Sequence, residues 1–240
     1  MILGLDTATS TAGIAITDDE RVLGEARHDT SGRGADLLVR IDELCRAAGV
    51  APTALDAIAV GAGPGSFTGL RIGMATAKGI AFAARRPLWA VSSLAALADD
   101  ALRELAEAAG VICAVLDARR GEVFAGCYRG GVALAPERVM APHELAPWVA
   151  QIASRAVEPG ESGEPTVRFA GDAIEAHRDT LAPLRDRWLV ARTPSGRAVV
   201  RLALAGDRVD ITLGGAPTYI RPSEAEVKYP DGVPGALPKR

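Results

Sequence analysis

Asp6-Thr7-Ala8-Thr9-Ser10 puts one carboxylate and three hydroxyls into a single short turn. A hydroxyl-rich turn behind a buried strand can hold a phosphate through its backbone N–H groups and side-chain oxygens. Phosphate-holding turns usually carry glycine, and often a lysine for the terminal phosphate. Here Ala8 stands where glycine would help and no lysine is near. The plainer use of the same residues is a hairpin stapled by its own hydroxyls, with Asp6 accepting backbone hydrogen bonds. A second run, GAGPGSFTGLRIG at 61–73, gathers Gly63, Gly65 and Gly69 around Ser66 and Thr68. Helix N-termini bind anions, but this spacing is neither GxxxxGKS/T nor GxGxxG. Asp117 closes a later apolar run as Asp6 closes the first. Two such carboxylates, one per half, would flank magnesium and a nucleotide if they faced each other across a cleft. With no lysine at either loop, Asp6, Thr7, Thr9, Ser10, Gly63, Gly65, Ser66, Thr68 and Asp117 read as vestigial phosphate loops, and no cofactor is expected.

Metal and nucleophilic chemistry find less support. His28, His143 and His177 form no HxxxH or HExxH pair, so no metal site is expected. Ser92, Ser93 and Thr68 have no His-Asp arrangement, and GPGSFTG is not a GxSxG elbow. Cys45, Cys113 and Cys127 are odd in number and lack a CxxC, which reads as buried thiols in a reducing cytoplasm. The only lysines are Lys78, Lys228 and Lys239, against 24 arginines.

These residues must be positioned by regular elements. Residues 2–5, 13–17 and 21–27 read as strands, followed by an amphipathic helix at 34–48 that Gly49 ends. A buried strand at 57–60 leads through the loop 61–66 into a helix at 67–85, stopped by Pro87. A strand at 87–91 and a helix at 93–109 follow. The opening pattern then returns: strand 111–116 ending at Asp117, turn, strand 123–128, a third strand in 131–140 and a helix at 143–154 with Leu145, Trp148, Val149 and Ile152 inward. A strand at 166–170 and helical stretches at 173–184 and 195–205 complete the second half. The stretch 155–165 reads as an exposed loop.

LDTATSTAGIAI at 5–16 and LDARRGEVFAGCY at 116–128 share one layout. Two successive β-β-β-α-β-α units describe the duplicated ribonuclease-H-like fold of actin and Hsp70-type ATPases, an α/β class. A generic doubly wound α/β sheet is the alternative. The expected lobes are 1–105, joined by the segment 206–222, and 106–205, with a flexible proline-rich tail at 223–240. Composition agrees with a globular chain: 240 residues, 48% hydrophobic, 24% charged, net charge −3. No stretch approaches the roughly 18 apolar residues of a membrane span, and the start is not a signal peptide. A slightly acidic chain is a poor stand-alone binder of nucleic acid. The chain carries 46 alanines and 26 glycines. Gly69, Gly73, Ala77 and Ala81 recur every four residues on one helix face, which lets another helix approach closely. That surface is either internal or shared with a partner.

The segments ILGLDTATSTAGIAI, AVGAGPGSFTGLRIGMATAKGIAFA, LDARRGEVFA and the late P-x-Y-I-R at 217–221 lie in order through both halves. Together they resemble the TsaB (YeaZ) family of accessory proteins in bacterial tRNA threonylcarbamoyladenosine synthesis. The resemblance implies a cytoplasmic, non-catalytic scaffold subunit. Its partners would be the catalytic threonylcarbamoyltransferase (TsaD), whose metal-binding HxxxH has no counterpart in HDTSGRGADLLVRID at 28–42, and a P-loop ATPase (TsaE). It implies a homodimer when alone, and contact with tRNA only through the complex. Docking by the helices at 34–48 and 67–85 would use Leu37, Leu38, Ile41 and Leu44 with Gly69, Leu70, Gly73, Met74, Ala77 and Ala81. Gly73→Leu should then weaken partner binding. The sequence Gly32-Arg33-Gly34-Ala35 departs from the polar cluster many members carry before the first helix. An ATPase or kinase of the duplicated fold is the competing class. A glycoprotease-like peptidase is weaker, having no nucleophile–base or metal constellation.

Overall fold

The computed structural model describes residues 1–29, 36–105, 110–157 and 165–221. The first half runs β1 (Ile2–Asp6), β2 (Thr11–Asp18), β3 (Arg21–Asp29), α1 (Asp36–Ala48), β4 (Ala57–Gly61), α2 (Phe67–Ala84), β5 (Leu88–Val91) and α3 (Ser93–Leu102). The second runs β6 (Val111–Asp117), β7 (Val123–Arg129), β8 (Val132–Ala133), β9 (Arg138–Met140), α4 (Leu145–Arg155), β10 (Val167–Ala170), α5 (Ala173–Ala176), α6 (Arg178–Leu181), α7 (Gly196–Ala205) and β11 (Val209–Asp210). Residues 34–35, 106–109, most of the 155–165 loop and the tail from 222 lie outside the described residues.

The first sheet has the order β11-β5-β4-β1-β2-β3. β1 and β4 are parallel, with Leu5 beside Val60, and both are buried along their whole length. Strands covered on both faces read as unbroken apolar runs, which is why ILGL and AIAV lack alternation. β3, at the edge, alternates partly buried and exposed residues. The second sheet has the order β10-β6-β7-β8, with β9 also on β7.

The layers are helix, sheet, helix, sheet, helix. α1 and α2 cover the outer face of the first sheet, where Leu37, Ile41, Met74, Ala77 and Ala81 meet Leu3, Leu5, Ile14 and Val60. α4 covers the outer face of the second through Leu145, Trp148, Val149 and Ile152, as its spacing predicts. Between the sheets lie α3 and α7, and they are exchanged: α3, from the first half, packs on β6, β7 and β10, while α7, from the second, packs on β1, β2, β4 and β5. The approach of α7 is close enough that a Cβ on Gly4 would lie 2.1 Å from the Gly196 carbonyl oxygen. Asp100 ties the pair together, accepting from the Ser195 backbone N–H and hydroxyl, each at 2.8 Å, and from Arg201 at 3.1 Å.

Three expected elements differ. The strand in 131–140 is two short strands pairing with different parts of β7, separated by Pro136, which lacks an N–H for the ladder. The helix from 93 ends at Leu102. The stretch 173–184 is α5, α6 and a 3₁₀ turn at Ala182–Arg187, broken at His177, whose backbone is non-helical.

Candidate functional site

Asp6 sits at the end of β1, 1% exposed, and faces inward. Its Oδ1 accepts the Ala8 backbone N–H at 2.8 Å and its Oδ2 accepts the Ser93 hydroxyl at 2.6 Å. Ser93 Oγ in turn accepts the Gly63 N–H at 3.1 Å. Gly61 must be glycine here, since a Cβ would lie 1.7 Å from Asp6 Oδ2. Burial pushes the Asp6 carboxyl up to about 6, because taking charge out of water favours the neutral form.

The groups a phosphate would need are engaged within the chain. The Thr7 hydroxyl donates to the Gly69 carbonyl at 2.8 Å, and the Thr9 hydroxyl to the Thr11 carbonyl at 2.9 Å. The Ser66 N–H donates to the Ala8 carbonyl at 2.7 Å, and Ser66 Oγ caps α2 by accepting from the Gly69 N–H at 3.3 Å. Gly65 lies directly on Ala8, where an added Cβ would come within 2.5 Å. The loop 61–66 thus lies on the 6–10 turn, while Gly65, Ser66 and Thr68 also line the adjoining cleft. Ser10 and Thr68 are exposed.

A cleft of about 690 Å³ runs between the start of α2 and the β6–β7 turn, and Asp117 lines it while Asp6 does not. Asp117 accepts the Arg119 N–H at 2.9 Å, lies 3.2 Å from the Arg119 guanidinium and 3.2 Å from His177 Nε2. Its own N–H donates to Asp172 at 2.9 Å, and burial pushes the Asp172 carboxyl up to about 6. His177 and Asp172 carried no sequence signal, being far from Asp117 along the chain and at no ligand spacing. The other wall of the cleft holds Phe67, Arg71 and Tyr219. The Arg71 guanidinium lies 3.9 Å over the Phe67 ring and its Nε donates to the Tyr219 hydroxyl at 3.2 Å. Arg221 donates to the Ala118 carbonyl at 2.8 Å and pairs with Glu122. The P-x-Y-I-R segment therefore fastens the end of the described chain to both walls. Among the described residues, no group of three or more His, Cys, Asp or Glu is placed to hold a metal, and no helix is long and apolar enough to cross a membrane.

The ten residues expected at a partner face divide unevenly. Leu37, Ile41, Gly69, Leu70, Gly73, Met74, Ala77 and Ala81 are buried within this chain, and Leu44 is half-buried. Leu38 alone is exposed, at 56%. The small-residue stripe is internal because Thr7 lies over it: a Cβ on Gly69 would stand 2.2 Å from the Thr7 carbonyl oxygen, and one on Gly73 2.1 Å from its hydroxyl. The outward faces instead present Leu38 and Val39 on α1 and Phe82 on α2, which is 87% exposed. Between the two helices runs an apolar groove of about 520 Å³, lined by Leu38, Val39, Leu55, Ile80, Ala83 and Ala84 among others.

The fold is of the α/β class. It superimposes on component A of (R)-2-hydroxyglutaryl-CoA dehydratase from Acidaminococcus fermentans with a TM-score of 0.51, over 85% of this chain and 96% of that one, at 10% identity. The chain belongs to the TsaB (YeaZ) family. Residues 35–205 match the profile of "TsaD: tRNA N6-adenosine threonylcarbamoyltransferase". The tRNA threonylcarbamoyladenosine biosynthesis protein TsaB of Bacillus subtilis is 28% identical over 235 residues, 95% of this chain and 97% of that protein. YeaZ from Pseudomonas aeruginosa is 31% identical with a TM-score of 0.68, covering 91% of this chain and 98% of that one.

Proposed function

We propose that this chain is a non-catalytic scaffold and activating subunit of the complex that transfers a threonylcarbamoyl group to the adenosine next to the anticodon of tRNA. The observation that carries this reading is the engaged loop. In a chain similar to TsaB over almost its whole length, the groups that would cradle a phosphate are engaged with Ala8, Gly69, Thr11 and Ser93. With those groups engaged and no lysine at either loop, the chain is read as acting by what it binds rather than by turnover.

Its partners on this reading are the catalytic threonylcarbamoyltransferase subunit (TsaD) and the P-loop ATPase subunit (TsaE), in the cytoplasm. Docking uses the outward faces of α1 and α2, where Leu38 and Val39 line an apolar groove and Phe82 stands exposed on α2. Exposed apolar residues around a groove are what an interface core requires. The same face serves a homodimer when the chain is alone, and tRNA is met only within the complex. The two lobes are read as one duplicated ribonuclease-H-like unit, supported by the matched hairpins that follow Asp6 and Asp117. Reconstitution tests the function. tRNA modification by the catalytic and ATPase subunits should depend on adding this chain, and the chain alone should not hydrolyse ATP with magnesium. Modification that proceeds equally without it, or ATP turnover by the chain alone, refutes the reading.

A further inference from the structure

We propose that Cys113 and Cys127 are a redox-closable pair: under peroxide they form an intramolecular disulfide that staples β6 to β7 without disturbing the second sheet. The two stand directly opposite in the antiparallel register of those strands, and the Cys127 thiol donates to Cys113 Sγ at 3.6 Å. Hydrogen-bonded and non-bonded pairs alternate along such a ladder, and the non-bonded pairs bring their Cα atoms closest, to about 4.5 Å. Two observations put the cysteines in the close set. The Cys127 carbonyl accepts from the Leu134 N–H at 2.8 Å, on the side of β7 away from β6. The Ala118 N–H donates to the Glu122 carbonyl at 3.0 Å, and that bonded pair lies an odd number of steps along the ladder from Cys113. Disulfides span Cα separations of about 4.4–6.8 Å, so the backbone already stands within range and only the sulfurs need approach.

Packing alone asks for less. Val115 and Ala125, the next non-bonded pair, fill the same core without sulfur. Of the three cysteines in the chain, two meet across one rung, and the third, Cys45, lies in the core of the first sheet. Cys113 and Cys127 are fully buried free thiols, and burial together with the neighbouring Cys127 sulfur holds the Cys113 thiol well above its ordinary range. Oxidation therefore waits on an opening of the hairpin, which makes the pair a responder to sustained peroxide rather than a fast sensor. The chemistry balances with hydrogen peroxide as the oxidant. One thiolate attacks a peroxide oxygen; the O–O bond breaks, the sulfur becomes S–OH, and the departing hydroxide takes the thiol proton and leaves as water. The second thiolate attacks that sulfur, the S–S bond forms, and the S–O bond breaks to release a second hydroxide, which takes the second thiol proton. Two electrons pass from the paired sulfurs to the peroxide. The closed pair then fixes the hairpin whose turn brings Asp117, Arg119 and Arg120 to the cleft wall.

The test treats the full chain with hydrogen peroxide in slight excess, alkylates the remaining thiols in denaturant, and digests with trypsin, which cuts at Arg119 and Arg120 between the two cysteines. Peptides 104–119 and 121–129 should appear joined, with Cys45 alone alkylated and the link gone after dithiothreitol. The oxidised chain should melt roughly 5–10 °C above the reduced one, as expected for closing a loop of this length. Cys127→Ala should lose both the link and the gain in Tm. The proposal is overturned if all three thiols stay open to alkylation, or if sulfinic acid stands at Cys113 or Cys127 in place of the link. A disulfide that includes Cys45 or joins two chains, or an oxidised form that melts no higher than the reduced one, overturns it equally.

Discussion

Gly73→Ala separates an internal stripe from a partner surface. The new Cβ would stand 2.1 Å from Thr7 Oγ1 and 3.1 Å from Thr7 Cγ2. Thr7 cannot move freely, because its hydroxyl donates to Gly69 and its carbonyl oxygen lies over the Cβ position of that same glycine. Overpacking of this kind costs about 1–3 kcal/mol. Losing the Thr7–Gly69 hydrogen bond adds about 0.5–1.5 kcal/mol. Alanine's better helix propensity returns about 1 kcal/mol. The net loss is about 2 kcal/mol, which in a chain of this size lowers Tm by roughly 4–8 °C. Thermal unfolding by circular dichroism reads the first quantity. Calorimetric titration with the catalytic subunit, well below Tm, reads the second and should give an unchanged affinity. An unchanged Tm with weakened partner binding would refute the internal placement. Gly73→Leu, read from sequence as an interface variant, should fail at the level of the fold for the same reason.

The complementary variant, Leu38→Glu with Val39→Glu, puts charge on two residues exposed at 56% and 54%; partner affinity should fall at least tenfold, as for hot-spot truncation, while Tm stays within a degree or two. Asp6→Asn tests the buried carboxyl. Its folded value of about 6 lies above the ordinary 3.8, so the stability it contributes is full below pH 4 and is lost by about 3 kcal/mol as pH rises to about 6. Urea unfolding should therefore show the variant gaining on the wild type between pH 4 and pH 6, and a pH-independent difference would sink the argument. Asp100→Ala leaves the Ser195 N–H without its acceptor and Arg201 with one partner fewer; the expected loss is about 3 kcal/mol by denaturant titration.

The parts of the structure legible in the sequence are those set by local periodicity. α1 and α4 show one apolar stripe each, and the stripe names the buried residues. β4 and the first four residues of β1 announce burial on both faces by having no polar position, Asp6 coming only at the end of β1. What periodicity cannot supply is the opposite wall. The stripe on α2 demands a close neighbour and reads as a seat for another helix, but over Gly69 and Gly73 the neighbour is Thr7 in the β1–β2 turn, 62 residues before Gly69. The exchange of α3 and α7 is equally hidden. α3 buries eight of its ten residues, so its pattern points to no single sheet. The Asp117–His177–Asp172 cluster forms only when α5 and β6 meet, and no spacing records that.

The exchanged helices also set an order of events during synthesis. The strands of the first sheet from β1 to β5 are complete by Val91, but the helix that covers their inner face begins at Gly196. At about 5–20 residues per second, that face waits roughly 5–20 s for its cover. Through that interval Ile2, Gly4, Ala57 and Ala59 stay open to other chains. The nascent protein is therefore most exposed to misassembly in the second half of its own translation, and a ribosome that stalls before residue 196 leaves behind a sheet that only a chaperone can shield.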